Sequence, residues 1–187
     1  MPSHFWIIVP WVAFGVYWLL SAMKTRATVR RESFVARYGV MLVEAVGFNL
    51  LFNRGLDIGP LGRHFLPRTT ATATVGIVLT WTGLAIAVWA RYHLGQFWSG
   101  RITLKQDHQL IRTGPYARLR HPIYTGLDVA AIGTAVVLDH WRSVAGVCVV
   151  ILGFVIKAKR EEALLAGQFG ESFEEHRKHT GFLLPRL

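Results

Sequence analysis

Long apolar runs, interrupted by short basic or Gly/Pro-rich stretches, set the pattern of this chain. Five stand out: Phe5 to Met23, Tyr38 to Phe52, Ala71 to Ala90, Ile123 to Leu138 and Ser143 to Ile156. The first and third have the roughly 20 residues that a helix needs to cross a bilayer. The others hold about 14 to 16, or about 21 to 24 Å of helix at ~1.5 Å per residue. Such segments either extend past the lipid into polar residues or dip in without crossing. Only Asp139, His140, Trp141 and Arg142 separate the last two runs, so a tight helical hairpin is expected there, its second helix running on into the cytosol. The expected fold is all-α: an integral membrane protein of about five transmembrane helices with a cytosolic C-terminal amphipathic helix. Residues 1–187 read as a single domain, with N-terminal spans over 1–70 and a core over 71–187. That core comprises a central loop (91–122), the hairpin (123–156) and a tail helix (157–179).

Composition supports the membrane reading, since 52% hydrophobic against 17% charged residues is too apolar for a typical water-soluble domain. The formal charge of +10 raises nucleic acid as a partner. The basic residues, however, sit at the ends of apolar runs and form no continuous stripe, which points to lipid headgroups and topology and away from nucleic acid. All the Lys and Arg residues except Arg54, Arg63, Arg68 and Arg142 follow the first, third or fifth run. The positive-inside rule then puts the N-terminus outside and the C-terminus in the cytosol; five spans satisfy the bias. No Lys or Arg precedes the first run and no small-residue cleavage pattern follows it, so it is expected to stay as a first helix. The single Cys148, inside an apolar run, offers neither a disulfide framework nor a cysteine metal site.

Polar residues within or beside the lipid are the candidates for chemistry. Glu44, Asn49 and Asp128 lie inside spans, where an unpaired charge is costly and where an interhelical hydrogen bond or a neutral carboxyl is the plain alternative to a functional role. Gly76 and Gly83, with Thr80 between them, suit close helix packing. The stretch LIRTGPYARLRHPIYTG, Leu110 to Gly126, is the most unusual. Gly114-Pro115 signals a turn that would aim Tyr116 in a fixed direction. Pro122 suits the first turn of a helix, so the fourth span is expected to begin at His121-Pro122, its positive end meeting Arg120 and His121 in a site for a carboxylate. Further on, Glu161, Leu165, Phe169 and Phe173 recur at i, i+4. An interfacial amphipathic helix explains that spacing, but Glu161, on the apolar face beside Glu162, stands where such a helix would carry alanine or leucine. Gly167 and Gly170 predict a bend. His176 and His179 share a face, but no third ligand is near them and no metal site is expected.

Taken together, HQLIRTGPYARLRHPIYTG, a following hairpin and REEALLAGQFGESFEEH resemble the isoprenylcysteine carboxyl methyltransferases and their bacterial relatives, which share this C-terminal region with phospholipid N-methyltransferases. The resemblance covers roughly Phe97 to Leu187. It implies a membrane-embedded methyltransferase that uses S-adenosylmethionine (SAM) and releases S-adenosylhomocysteine. Carried over by position, His108, Gln109, Leu110, Ile111, Tyr116, His121, Pro122, Ile123 and Tyr124 would contact SAM, and Glu161 would be its acidic ligand. Lys157 falls where the family places an arginine facing the substrate; lysine keeps the charge but lacks the bidentate fork. Glu161 and Lys157 are thus the implied catalytic residues, and the acceptor a carboxylate of a lipophilic or prenylated molecule among membrane lipids. Two alternatives stay open: N-methylation of an aminophospholipid, with Glu161 or Glu162 as base, and a scaffold that only binds anionic lipid. No G-x-G occurs in the chain, so the soluble dinucleotide-fold route to nucleotide binding is absent.

Overall fold

A computed structural model describes residues 2–23, 28–31, 34–95, 103–105 and 110–186. Among these, the α-helices are α1 (Pro2–Ala22), α2 (Phe34–Phe52), α3 (Thr70–Leu94), α4 (Pro122–Leu138), α5 (Trp141–Phe169) and α6 (Glu171–His179). The fold is all-α as expected, with one short antiparallel ribbon, β1 (Thr28–Arg31) and β2 (Thr103–Lys105), in which Arg30 pairs with Leu104 and Arg31 with Thr103. Segments as short as TVRR and TLK show no period of two, so the apolar pattern carries no sign of them.

Three helices, over His4–Ala22, Thr70–Leu94 and Trp141–Phe169, have the length and apolarity to cross a membrane. The apolar stretches Tyr38–Phe52 and Pro122–Leu138 are shorter. Outward-facing side chains are themselves apolar: Phe5, Val12 and Leu19 on α1, Leu42 on α2, Val75, Val78 and Trp89 on α3, and Leu152 on α5 are all exposed. A surface of this kind has lipid as its solvent, and the chain is an integral membrane protein.

Lipid gives helices no hydrophobic reason to associate, so close backbone packing has to hold them together. The α3–α4 seam shows how. A Cβ added at Gly83 would stand 2.4 Å from the Ala130 nitrogen and from the Gly126 oxygen, and one at Gly133 would stand 2.5 Å from the Thr80 nitrogen. Thr80 Oγ1 donates to the Gly76 carbonyl at 2.9 Å, Thr134 Oγ1 donates to the Ala130 carbonyl at 2.8 Å, and Trp11 Nε1 brings in α1 by donating to Thr134 Oγ1 at 2.9 Å. The α2–α5 pair uses the same device, with Gly47 against Val150 and Gly146 against Leu51.

At the hairpin turn, Asp139 ends α4 in the left-handed region (φ 57°) and its carboxylate accepts from the Phe65 and Leu66 amides at 3.2 and 2.7 Å. Arg142, counted above as a topological charge, is fully buried. It donates to the Leu50 and Leu51 carbonyls at the end of α2, at 2.8 and 2.7 Å, and to Asp57. These are the groups that a helix C-terminus leaves without partners, and a cation is the natural cap for them. Burial alone would push the Asp57 carboxyl up, but its hydrogen bond to Arg142 and that charge hold it below its ordinary range.

After its apolar run, α5 continues unbroken to Phe169 because KAKREEALLA is rich in strong helix formers. The boundary drawn at residue 157 falls inside this one helix. Gly167 is accommodated within it, and the chain turns at Gly170, whose φ of +51° favours glycine, before α6.

Candidate active site

The RHP turn and the far end of α5 meet in one polar cluster. Gly114, at φ +59°, starts the 3-10 turn Gly114–Ala117, and a side chain there would stand 2.7 Å from the His93 ring. His93 in turn contacts Thr113 Oγ1 at 2.7 Å, so the turn is held against the end of α3. The turn buries Tyr116. Burial, reinforced by the nearby charge of Glu161, pushes its hydroxyl pKa up, while Arg91 pulls weakly the other way.

Pro122 is the first residue of α4, where its missing N–H costs nothing, and His121 is the N-cap. Among the described residues, no side chain caps that terminus. The His121 imidazole is buried and touches a carboxylate with each nitrogen: Nδ1 lies 3.6 Å from Glu161 Oε2, and Nε2 lies 3.2 Å from Glu162 Oε1. Burial alone would lower its pKa; hydrogen bonds to the two glutamates outweigh burial and raise it. The two flanking carboxylates thus favour the imidazolium more than water does. Glu161 Oε1 also accepts from the Tyr124 hydroxyl at 2.6 Å, and Glu162 Oε1 from Arg120 Nε at 2.5 Å. The adjacent glutamates thus take different partners, Glu161 toward α4 and Glu162 toward the arginine.

An aromatic column stiffens this arrangement. The His121 and Tyr124 rings stack with centroids 5.6 Å apart and planes 10° off parallel, Tyr124 stacks on Phe154 at 5.0 Å and 8°, and Phe182 meets His121 edge-on at 5.2 Å. Phe182 comes from the C-terminal tail, which folds back over the turn. The Arg120 amide donates to the Gly181 carbonyl at 2.9 Å, the Gly181 amide to the Arg118 carbonyl at 3.0 Å, and Thr125 Oγ1 to the Leu183 carbonyl at 2.7 Å. Lys157, one turn before Glu161, places Nζ 3.4 Å from Glu44 Oε1 of α2 and 5.5 Å from the centre of the Tyr124 ring.

Of the residues singled out by sequence, Tyr116, His121, Tyr124, Glu161 and Lys157 therefore lie within one connected group. Pro122 and Ile123 form the buried first turn of α4. Leu110 and Ile111 are half-buried at the start of the turn, Ile111 packed on the apolar core. His108 and Gln109 lie outside the described residues. Glu44, flagged only as a polar residue in a span, proves to be part of the cluster, and Arg120, expected beside His121 at the start of α4, reaches it through Glu162. Phe154 and the Thr180–Leu183 tail carried no signal beyond apolarity. Asp128 is buried with Oδ1 lacking a hydrogen-bond partner among the described residues. His176 and His179 diverge: His176 is buried, and its pKa is lowered by burial and by Arg112, whereas His179 is exposed and contacts Glu175 at 2.8 Å.

Fold and site together define a helical membrane protein with a dehydrated, charge-rich centre shared by α2, α4, α5 and the tail. Residues 75–167 match the model of the isoprenylcysteine carboxyl methyltransferase (ICMT) family. A protein-S-isoprenylcysteine O-methyltransferase from Schizosaccharomyces pombe is 36% identical over 101 residues, 52% of this chain and 43% of the yeast protein. A probable protein-S-isoprenylcysteine O-methyltransferase from Oryza sativa subsp. indica is 33% identical over 112 residues, 57% of this chain and 59% of its own length. A nickel-cobalt-cadmium resistance protein, NccN, from Alcaligenes xylosoxydans xylosoxydans is 28% identical over 123 residues, covering 64% and 52%. The chain spans about half the length of the curated relatives it matches.

Proposed function

We propose that this protein is a SAM-dependent methyltransferase that esterifies a carboxylate of a lipophilic, isoprenylcysteine-like acceptor at the cytosolic edge of the membrane. Five spans, with the N-terminus outside, accompany this reading. The observation that carries it is the convergence of the α4 N-terminus, the His121–Tyr124 aromatic surface and the Glu161–Glu162 pair at one buried point of a chain in which residues 75–167 match this family.

The donor set fits SAM chemically. The α4 N-terminus, where no described side chain serves as a cap, suits the carboxylate of its amino-acid end, while His121, held by both glutamates, orders the turn beside it. The aromatic faces suit an adenine ring or a cation. Glu161, at the end of the column, suits an amine or a ribose diol. Bound there, SAM would supply an electrophilic methyl carbon to a carboxylate oxygen of the acceptor, the sulfur–methyl bond breaking to leave S-adenosylhomocysteine, with no proton to remove. Glu162 and Arg120 hold His121 from behind, Tyr124 orients Glu161, and Phe182 with the tail keeps water from the turn. Lys157 orients the acceptor carboxylate. Catalysis then rests on positioning and exclusion of water, with no covalent work for the protein.

The test is incorporation of labelled methyl from SAM, by detergent-solubilised or membrane-reconstituted protein, into prenylcysteine analogues and into phosphatidylethanolamine. The expected product is a base-labile methyl ester of the prenylcysteine. Label in phosphatidylethanolamine alone would replace the proposal with N-methylation, and saturable lipid binding without methyl transfer would leave a scaffold.

A further inference from the structure

Glu44 lies on α2, outside the region matched to the family, yet its side chain reaches the polar cluster. Gly153 makes room for it: a Cβ there would stand 3.1 Å from Glu44 Cγ, so the glutamate stem lies against α5 one turn before Lys157. Its carboxylate ends 3.4 Å from Lys157 Nζ, with the lysine and glutamate side chains 17% and 18% exposed. The same ammonium stands 5.5 Å from the centre of the Tyr124 ring. The lysine assigned above to the acceptor carboxylate is thus already paired with a carboxylate of the protein.

That pairing bears on the reaction, because the acceptor loses its charge as it reacts. When its carboxylate oxygen bonds the methyl carbon and the sulfur–methyl bond breaks, an anion becomes a neutral ester and no proton moves. A cation that clamps the starting carboxylate holds the bound ground state more strongly than the transition state, which raises the barrier from the bound complex. A second carboxylate on the same cation weakens that clamp, and in a dehydrated site the two negative charges feel one another strongly.

Resting on the methyltransferase reading above, we propose that Glu44 is a positioning residue that shares Lys157 with the acceptor carboxylate and regains the ammonium as that carboxylate becomes an ester. Lys157 lines up the nucleophile, and Glu44 keeps it from binding the nucleophile too tightly. The departing ester then leaves an ion pair behind it. Glu44 thereby lowers affinity for the acid and raises the rate of its methylation.

The experiment measures the equilibrium affinity of N-acetyl-S-farnesylcysteine and of its methyl ester, with S-adenosylhomocysteine present, and kcat and KM for methyl transfer, in the wild-type protein and in Glu44→Gln. The wild type is expected to bind the acid no more than about threefold more tightly than the ester, because Glu44 offsets the attraction of Lys157. Glu44→Gln should bind the acid about tenfold or more tightly than the wild type does, the scale of one charge-assisted hydrogen bond, with affinity for the ester unchanged. Its kcat should fall along with KM, leaving kcat/KM nearly constant. A higher KM with a lower kcat/KM, the mark of a merely structural role, would overturn the proposal, as would unchanged acid affinity or unchanged kcat. If Glu44→Gln does not fold, the wild-type ratio decides: a stronger preference for the acid over the ester overturns it. Absence of methyl transfer by a folded wild-type protein would instead defeat the methyltransferase reading, and this role with it.

Discussion

The contact between Arg120 and Glu162 should be among the most energetic polar interactions in the molecule, and its strength can be measured. The two side chains are only 11% and 15% exposed and meet at 2.5 Å. Removing one partner of a fully buried pair costs about 3–5 kcal/mol. Glu162→Gln should cost less, about 2–3 kcal/mol, because Arg120 keeps its hydrogen bonds to the Arg177 and Thr180 carbonyls and glutamine keeps one acceptor. Arg120→Ala should cost at least as much, since it also frees the C-terminal tail. In a chain of this length ~1 kcal/mol moves the thermal midpoint by roughly 2–4 °C, so Glu162→Gln should lower it by roughly 4–12 °C in detergent. The double variant is decisive: direct interaction predicts a combined loss smaller than the sum by about 1–2 kcal/mol. Strictly additive losses would show that the two side chains do not stabilise one another and would remove Arg120 as the support of His121.

Other consequences can be checked in the same preparation. Gly83→Val should force α3 and α4 apart, because even a Cβ would overlap backbone atoms at 2.4 Å; the expected loss is about 1–3 kcal/mol or more, read as a lower thermal midpoint, whereas Gly15→Ala, with open space around it, should change little. Gly181→Ala would place a Cβ 1.7 Å from the Leu184 carbonyl oxygen, so it should release the tail and speed proteolysis after residue 180 while the helices stay folded. His121 has a folded pKa above its ordinary 6.5, so its contribution to stability is fully present below about pH 6.5 and is lost as pH rises through the folded value. The wild-type midpoint should therefore fall with alkaline pH more steeply than that of His121→Ala; parallel profiles would refute the pairing of His121 with the glutamates.

The elements that form this site differ in how plainly the sequence announces them. The G-P and R-H-P turns are legible because proline and glycine impose backbone geometry locally, and Gly114 and Pro122 stand where that chemistry requires them. The long run into α5 is legible as a helix, but its division at residue 157 is not physical: polarity changes there while helix propensity does not, and the break comes at Gly170. Pairings across the molecule leave no local trace. Nothing in the sequence near Arg142 indicates that it caps α2, or near Glu44 that it meets Lys157, because these contacts depend on how α2 lies against α5. The fold-back of Gly181–Leu183 is hidden for a related reason: it is secured by backbone hydrogen bonds and one ring contact, which have no periodic signature.

On the proposed function, the buried junction of the RHP turn and α5 holds an activated methyl donor. Isothermal titration of the purified protein with SAM, alongside Glu161→Ala and His121→Ala, tests it most directly. Saturable one-to-one binding by the wild type, abolished in both variants although each still purifies as a folded species, is the predicted result. Absence of saturable binding in a well-folded wild-type preparation, or wild-type affinity in Glu161→Ala, would contradict it.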